Sequence, residues 1–269
     1  ILIFIATFAF FGFSVNNLIK YLKFAKKKDD RFDNVPTRLR RVWNIAFAQT
    51  KLLRDPFAGL LHLLIFWGFV LFIFAVIETI VQGFYTPFSL SFLGSMFSII
   101  TLVQDIFGLL VIFSVLLSLY RRFIQKVPRL VVDAHGMKDA AFILSLIMLI
   151  VISMYGQNAA GFANNGMAYH QYELRPISAF VSGLFFNGQT ETTLVLYQFF
   201  WWMHILLIFG FLNFLPYSKH LHILTSIPNV FFANLEPVRN TIKKLNLDDE
   251  NAETFGVADI DQFSWKQIL

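Results

Sequence analysis

Residues 57–81 read FAGLLHLLIFWGFVLFIFAVIETIV, with only His62 and Glu78 ionisable. A helix needs about 20 apolar residues to cross the hydrocarbon core of a bilayer, and this run exceeds that length. Working outward, four more apolar blocks occupy residues 1–21, 97–119, 140–155 and 194–215, the fourth span (140–155) being short for a crossing. Of the 269 residues 57% are hydrophobic and 34 are Phe, more apolar surface than a soluble domain of this size readily hides. The pattern predicts an all-α integral membrane bundle of five transmembrane helices.

The connections differ in charge. Residues 23–54 carry ten Lys and Arg and residues 121–138 carry five. Residues 82–96 carry none, residues 156–193 carry only Arg175, and the tail after Tyr217 carries five. Basic loops stay on the cytoplasmic side, so the expected topology has its N-terminus outside and its C-terminus in the cytoplasm. The same charge argues against nucleic acid as a partner, because it sits beside helix ends where topology and anionic headgroups account for it. Residues 156–193 are long for a connector and rich in Gly, Asn and aromatics, including Phe162, Tyr169, Tyr172 and Phe180; they suit a cap over the outer surface. The chain has no Cys, which excludes disulfides, thiolate catalysis and Cys-held zinc or iron–sulfur clusters within it.

Chemistry falls to the histidines. His62 lies in the first turns of span two, His204 inside span five, and His220 and His222 just past Pro216. An ionisable ring among leucines needs a partner in lipid. Haem iron supplies one, since it takes an imidazole on each axial side while the macrocycle is buried between helices. Gly59 and Gly68 suit the close approach of a flat ring. The cytoplasmic ends of spans two and five lie at similar depth, so His62 can pair with His222 or His220 across one haem. His220 and His222 then point about 200° apart on the helix. His204 and His222 are eighteen residues apart, five turns on one face if helix five runs straight, which suits a second haem; Pro216 between them is a signal for a break. Span two offers Phe72 where a second ligand would sit, leaving His170 of the outer loop as a candidate partner for His204. The alternative for each ring is a hydrogen bond across helices. His135 reads as a surface residue, and zinc fits less well for want of clustered ligands.

Glu78 and Asp105, with Gln104 beside it, are membrane carboxylates that could relay protons for quinone chemistry or simply bond to neighbouring helices. Tyr172, Glu173 and Arg175 could line a quinone pocket. Trp201 and Trp202 suit packing against a haem or against lipid. Asp55-Pro56 is a helix start, a capping carboxylate followed by a residue that needs no donor there. Arg54 is placed to meet a haem propionate.

The stretches Asp55-Pro56-Phe57-Ala58-Gly59-Leu60-Leu61-His62, Trp201-Trp202-Met203-His204 and Pro216-Tyr217-Ser218-Lys219-His220-Leu221-His222 resemble the membrane cytochrome b (gamma) subunit of respiratory nitrate reductase. They resemble still more closely the membrane part of heterodisulfide-reductase-like iron–sulfur oxidoreductases. The resemblance covers residues 1–235 and implies haem b between spans two and five. It favours His222 over His220 as lower ligand and places quinol, menaquinol or a similar one, near the outer side. It also implies electron exchange with cytoplasmic iron–sulfur or flavin redox proteins, and the bacterial cytoplasmic (inner) membrane as location. Residues 236–269, with Asp248, Asp249, Glu250 and Glu253 and a helix opened by Pro237, are then a cytoplasmic linker. Iron–sulfur clusters are expected only beyond residue 269 or in a partner. Two rival readings stand beside this one. A transporter would call for repeated halves, which are not seen. A cofactor-free anchor for a soluble enzyme would have little reason to bury His62 and His204.

Overall fold

The computed structural model describes residues 1–27, 29–85, 87–164, 173–186, 188, 190–235, 257 and 259–269. His170, Tyr169 and Tyr172 lie outside the described residues, as do Pro237, Asp248, Asp249, Glu250 and Glu253. Among the described residues every named element is helical, and strand pairing is limited to an isolated bridge between Lys27 and Ser264. The helices are α1 (Leu2–Leu22), α2 (Val35–Val42), α3 (Pro56–Phe84), α4 (Ser95–Leu119), α5 (Ala134–Ala163), α6 (Pro176–Phe185), α7 (Glu191–Phe214), α8 (His222–Phe231) and the single turn α9 (Trp265–Ile268). Five of them, α1, α3, α4, α5 and α7, are long and apolar enough to cross a membrane.

The chain divides into two compact units. The first runs from Leu52 to Phe211, with Ile1. It is held by α3 on α4, α4 on α5 and α5 on α6. Its core gathers Val111 and Val115 of α4 with Val151, Met154 and Tyr155 of α5. Glycines set these contacts. A Cβ on Gly68 would collide with Val111, and one on Gly156 would lie 2.5 Å from the Phe200 ring of α7. Gly59 has the same role at the start of α3, where a Cβ would stand 2.5 Å from the Leu52 carbonyl oxygen. Gly59 and Gly68 therefore admit neighbouring protein atoms, and the expectation that they make room for a macrocycle is corrected.

Asp55 starts α3 as expected, its carboxylate accepting from the Ala58 amide at 3.3 Å, with Pro56 in the first turn. Arg129 pairs with the same carboxylate. Span four departs from the sequence reading, for α5 is a full 30-residue helix. Gly156, Gln157 and Asn158 lie just beyond the expected end of that span at residue 155. Here they lie within the helix, and the following Ala159 and Ala160 are wholly buried. Asn158 Nδ2 donates to Ser178 Oγ of α6 at 3.4 Å. The connection between α5 and α7 also holds a helix, α6, packed on α5 and α4.

The second unit comprises Leu2–Lys51 and Leu212–Leu269. In it α2 packs on α8. Arg38 of α2 is 2% exposed and closes the end of α8, donating to the carbonyls of Phe231 and Ala233 at 2.9 Å each. Its remaining donors meet the Asp33 carbonyl at 2.7 Å and carboxylate at 2.6 Å. The last carbonyls of a helix lack partners within it, and a guanidinium fork satisfies two at once. The 259–269 segment docks on the turn before α2. Ser264 Oγ donates to the Asp29 carboxylate at 3.0 Å, Trp265 Nε1 to the Asp29 carbonyl at 2.9 Å, and Lys26 pairs with Asp261 at 2.8 Å.

Helix five does not run straight to His222. α7 stops at Phe214, and 3-10 turns at Leu215–Tyr217 and Lys219–Leu221 precede α8. Pro216 supplies no amide hydrogen to continue the ladder, and Ser218 caps the next turn by accepting from the His220 amide at 3.1 Å. The eighteen residues from His204 to His222 are thus not five turns of one helix.

Candidate functional site

His204 sits in the middle of α7, inside the first unit. Its Nδ1 is 2.9 Å from the Ile150 carbonyl oxygen and 2.9 Å from Ser153 Oγ, both on α5. Ser153 Oγ itself donates to the Ile150 carbonyl at 2.8 Å. A carbonyl oxygen only accepts, so Nδ1 carries the ring hydrogen and Nε2 of the neutral imidazole carries the lone pair. This is the arrangement in which metal-ligating histidines are held, one ring nitrogen donating to a main-chain carbonyl and the other directed to the metal.

His222 repeats it in the second unit. It opens α8, is exposed, and its Nδ1 lies 3.1 Å from the Lys219 carbonyl oxygen. The same carbonyl acceptor at Nδ1 selects, for the neutral ring, the tautomer with its lone pair on Nε2. The half-buried His220 ring lies beside it, centroids 5.7 Å apart and planes inclined by 47°. The expected 200° divergence assumed one continuous helix, and the 3-10 turn brings the rings together instead. His62 is exposed on α3 and His135 is exposed at the start of α5. Among the described residues, no three His, Asp or Glu side chains gather as a metal-binding group. Trp201 and Trp202 form an edge-to-face pair with centroids 4.9 Å apart.

The carboxylates have clear partners. Asp105 of α4 is fully buried. One of its oxygens accepts from the Ile177 amide at 2.6 Å, and the other accepts from Ser178 Oγ at 2.5 Å. The Ser178 amide is 3.3 Å from both. These are the orphan donors of the first turn of α6, so a carboxylate from another helix caps α6 and complements its positive end. Tyr155 donates its hydroxyl to the Asp105 carbonyl. One turn away, Thr101 Oγ1 accepts from the Leu174 amide at 3.0 Å, and Gln104 Nε2 donates to the Leu71 carbonyl at 2.9 Å. Glu173 and Arg175 form an ion pair at 2.8 Å, each side chain 8% exposed. Glu78, half-buried, accepts from Ser89 Oγ at 2.9 Å and the Leu90 amide at 2.7 Å. It thereby holds the turn Leu90–Leu93.

Sequence reasoning missed Thr101, Ser153, Tyr155 and Ser178. For Ser178 a signal existed, since Pro176 marks a helix start and a polar residue follows in the first turn. The others announce nothing until two helices are brought together. Arg54 is exposed, and it is Arg129 that meets Asp55. This guanidinium holds the Asp55 carboxyl below the usual carboxylate range, and the Ala58 amide adds to the effect.

Among the described residues, fold and site together give an α-helical protein with five helices long and apolar enough to cross a membrane, and with His204 and His222 each placing Nδ1 against a main-chain carbonyl. No family model matches the chain, and no solved structure matches it. Two curated proteins do. The chain is 31% identical, over 96% of its length, to a Bacillus subtilis protein named Probable iron-sulfur-binding oxidoreductase FadF. It is 30% identical, over 91% of its length, to the EtfAB:quinone oxidoreductase of Syntrophomonas wolfei. The alignments cover 36% and 34% of those proteins, so the chain spans about a third of the length of the curated relatives it matches.

Proposed function

We propose that residues 1–235 are the membrane domain of a quinone-linked oxidoreductase, holding haem b and linking the menaquinone or quinone pool to iron–sulfur centres on the cytoplasmic side. Residues 236–269 are the linker toward those centres, which a further part of the protein or a partner would supply. The observation that carries the reading is the pair His204 and His222, each with Nδ1 against a main-chain carbonyl, at 2.9 and 3.1 Å, the ring placement seen for iron-ligating histidines, in which ligation falls to Nε2. The names of the two relatives, one an iron–sulfur-binding oxidoreductase and the other a quinone oxidoreductase, support the same reading. So does the resemblance to the nitrate reductase gamma subunit.

The donor set fits haem, which asks for two neutral imidazoles. His62 and His222 would hold one haem, with His220 beside it. His204 would hold a second, with His170 its candidate partner. Haem b, when bound, supplies reversible one-electron transfer. The chain's residues do the rest. The Ile150 carbonyl and Ser153 fix the His204 ring and raise its basicity by sharing its Nδ1 hydrogen. Asp105 is wholly enclosed and committed to α6, so proton exchange with quinol falls to the half-buried Glu78. Loop charge puts the N-terminus outside and the C-terminal tail in the cytoplasm of a bacterium.

The test is a reduced-minus-oxidised absorption spectrum of the purified protein, first with dithionite and then with a menaquinol analogue as reductant. A b-type spectrum produced by both reductants is expected. Intact protein without haem would defeat the reading and favour a cofactor-free anchor.

A further inference from the structure

From the second unit alone, we infer that α2 and the π-helical turn after it, Trp43–Phe47, form an in-plane helix that lies in the headgroup region of an anionic bilayer. One side of α2 is occupied. Arg38 and Val42, 2% and 7% exposed, face α8, and Arg41 donates to the Asn234 carbonyl at 2.6 Å. The adjoining side is apolar and open. Val35, Leu39 and Trp43 recur every four residues and are 40%, 56% and 59% exposed. At about 100° per residue they share an arc of roughly 80°. Phe47 extends the row, its ring stacked on Trp43 at 5.8 Å. The exposed Arg40 lies about 60° beyond Trp43, at the border of the apolar arc.

An apolar row edged by cations, with a Trp in it, is how helices lie along membranes. The occupant is argued from charge and from place. Residues 20–51 hold ten Lys and Arg against three Asp. Two of those Asp, Asp29 and Asp33, are already paired with Arg31 and Arg38. Arg40 and Lys51 are exposed. The membrane-length helix α1 ends at Leu22, leaving residues 23–34 to reach α2, so the bilayer surface is the nearest apolar phase. A protein partner would need apolar complementarity that nothing on this face specifies. The inference does not depend on haem.

The chain has no Cys, so single nitroxide labels can be placed cleanly at the exposed positions Leu39→Cys and Thr37→Cys in the full chain. Accessibility to oxygen and to a nickel chelate is then read by power saturation in phosphatidylglycerol vesicles and in phosphatidylcholine vesicles. The expected oxygen-to-nickel ratio is severalfold higher at position 39 than at position 37 in phosphatidylglycerol, and the difference shrinks in phosphatidylcholine. A nickel-accessible label at position 39 would overturn the inference, as would exclusion of both reagents there, the mark of a protein cover. Equal ratios in the two lipids would overturn its anionic component.

Discussion

Replacing Asp105 by Asn is expected to loosen α6 before it changes any redox property. The wild-type carboxylate is fully buried and both its oxygens accept from the first turn of α6, at 2.6 Å from the Ile177 amide and 2.5 Å from Ser178 Oγ. Asn keeps one acceptor for the Ile177 amide and turns the other oxygen into a donor toward Ser178 Oγ, so the Ser178 hydroxyl hydrogen loses its acceptor. Losing one charge-assisted bond and stranding one buried donor costs about 1.5–3 kcal/mol. Asp105→Ala strands the Ile177 and Ser178 donors together, for roughly 3–5 kcal/mol if they find no water. Hydrogen exchange of α6 in detergent or nanodiscs is the assay, since opening of this segment should fall by the same free energy. Protection of the Ile177 and Ser178 amides is expected to drop by about tenfold to a hundredfold in Asp105→Asn. Unchanged protection alongside slowed quinol oxidation would refute the capping argument and return Asp105 to a proton-relay role.

Arg38→Ala leaves the Phe231 and Ala233 carbonyls without their guanidinium, and a loss of about 1–3 kcal/mol in denaturant titration is expected. Arg38→Lys is expected to recover little, because an ammonium cannot reproduce the fork. Gly59→Ala drives a Cβ against the Leu52 main chain and should destabilise by about 1–3 kcal/mol. Gly83→Ala meets nothing within 4 Å and should gain up to about 1 kcal/mol, so thermal melts of the two should move in opposite directions. The pairing of Asp55 with Arg129 lowers the folded carboxyl's pKa from its ordinary 3.8. Its contribution is therefore present above that pH and lost as pH falls through the lowered folded value. Melts of wild type and Asp55→Asn should differ at neutral pH and converge under strong acid, and added salt should narrow the gap because the pair is exposed.

The membrane helices were legible because lipid demands long unbroken apolar runs, and residues 57–81 supply one with little ambiguity. The fourth was read short because its helix continues past residue 155, where the polar Asn158 meets Ser178 of α6 rather than water, a contact invisible in local pattern. Pro216 signalled a break in helix five, but the turns that put His220 beside His222 arise from Ser218 capping. The histidines themselves stood out, since an imidazole in a leucine-rich run is conspicuous. What holds them did not, because Ser153 and Ile150 lie 51 and 54 residues before His204. Asp105 was visible as a membrane carboxylate, yet its donors come 72 and 73 residues later. Its capping role is tertiary, and no spacing rule announces it.

The most direct test of the central claim, that these histidines hold haem b, is haem per chain by pyridine haemochrome in wild type and in His62→Ala, His204→Ala and His222→Ala, each first shown to be folded. The account predicts b-type haem in the wild type, loss of one haem in both His62→Ala and His222→Ala, and loss of a different one in His204→Ala. Wild-type haem content unchanged in all three folded variants, or no haem in any of them, would contradict it.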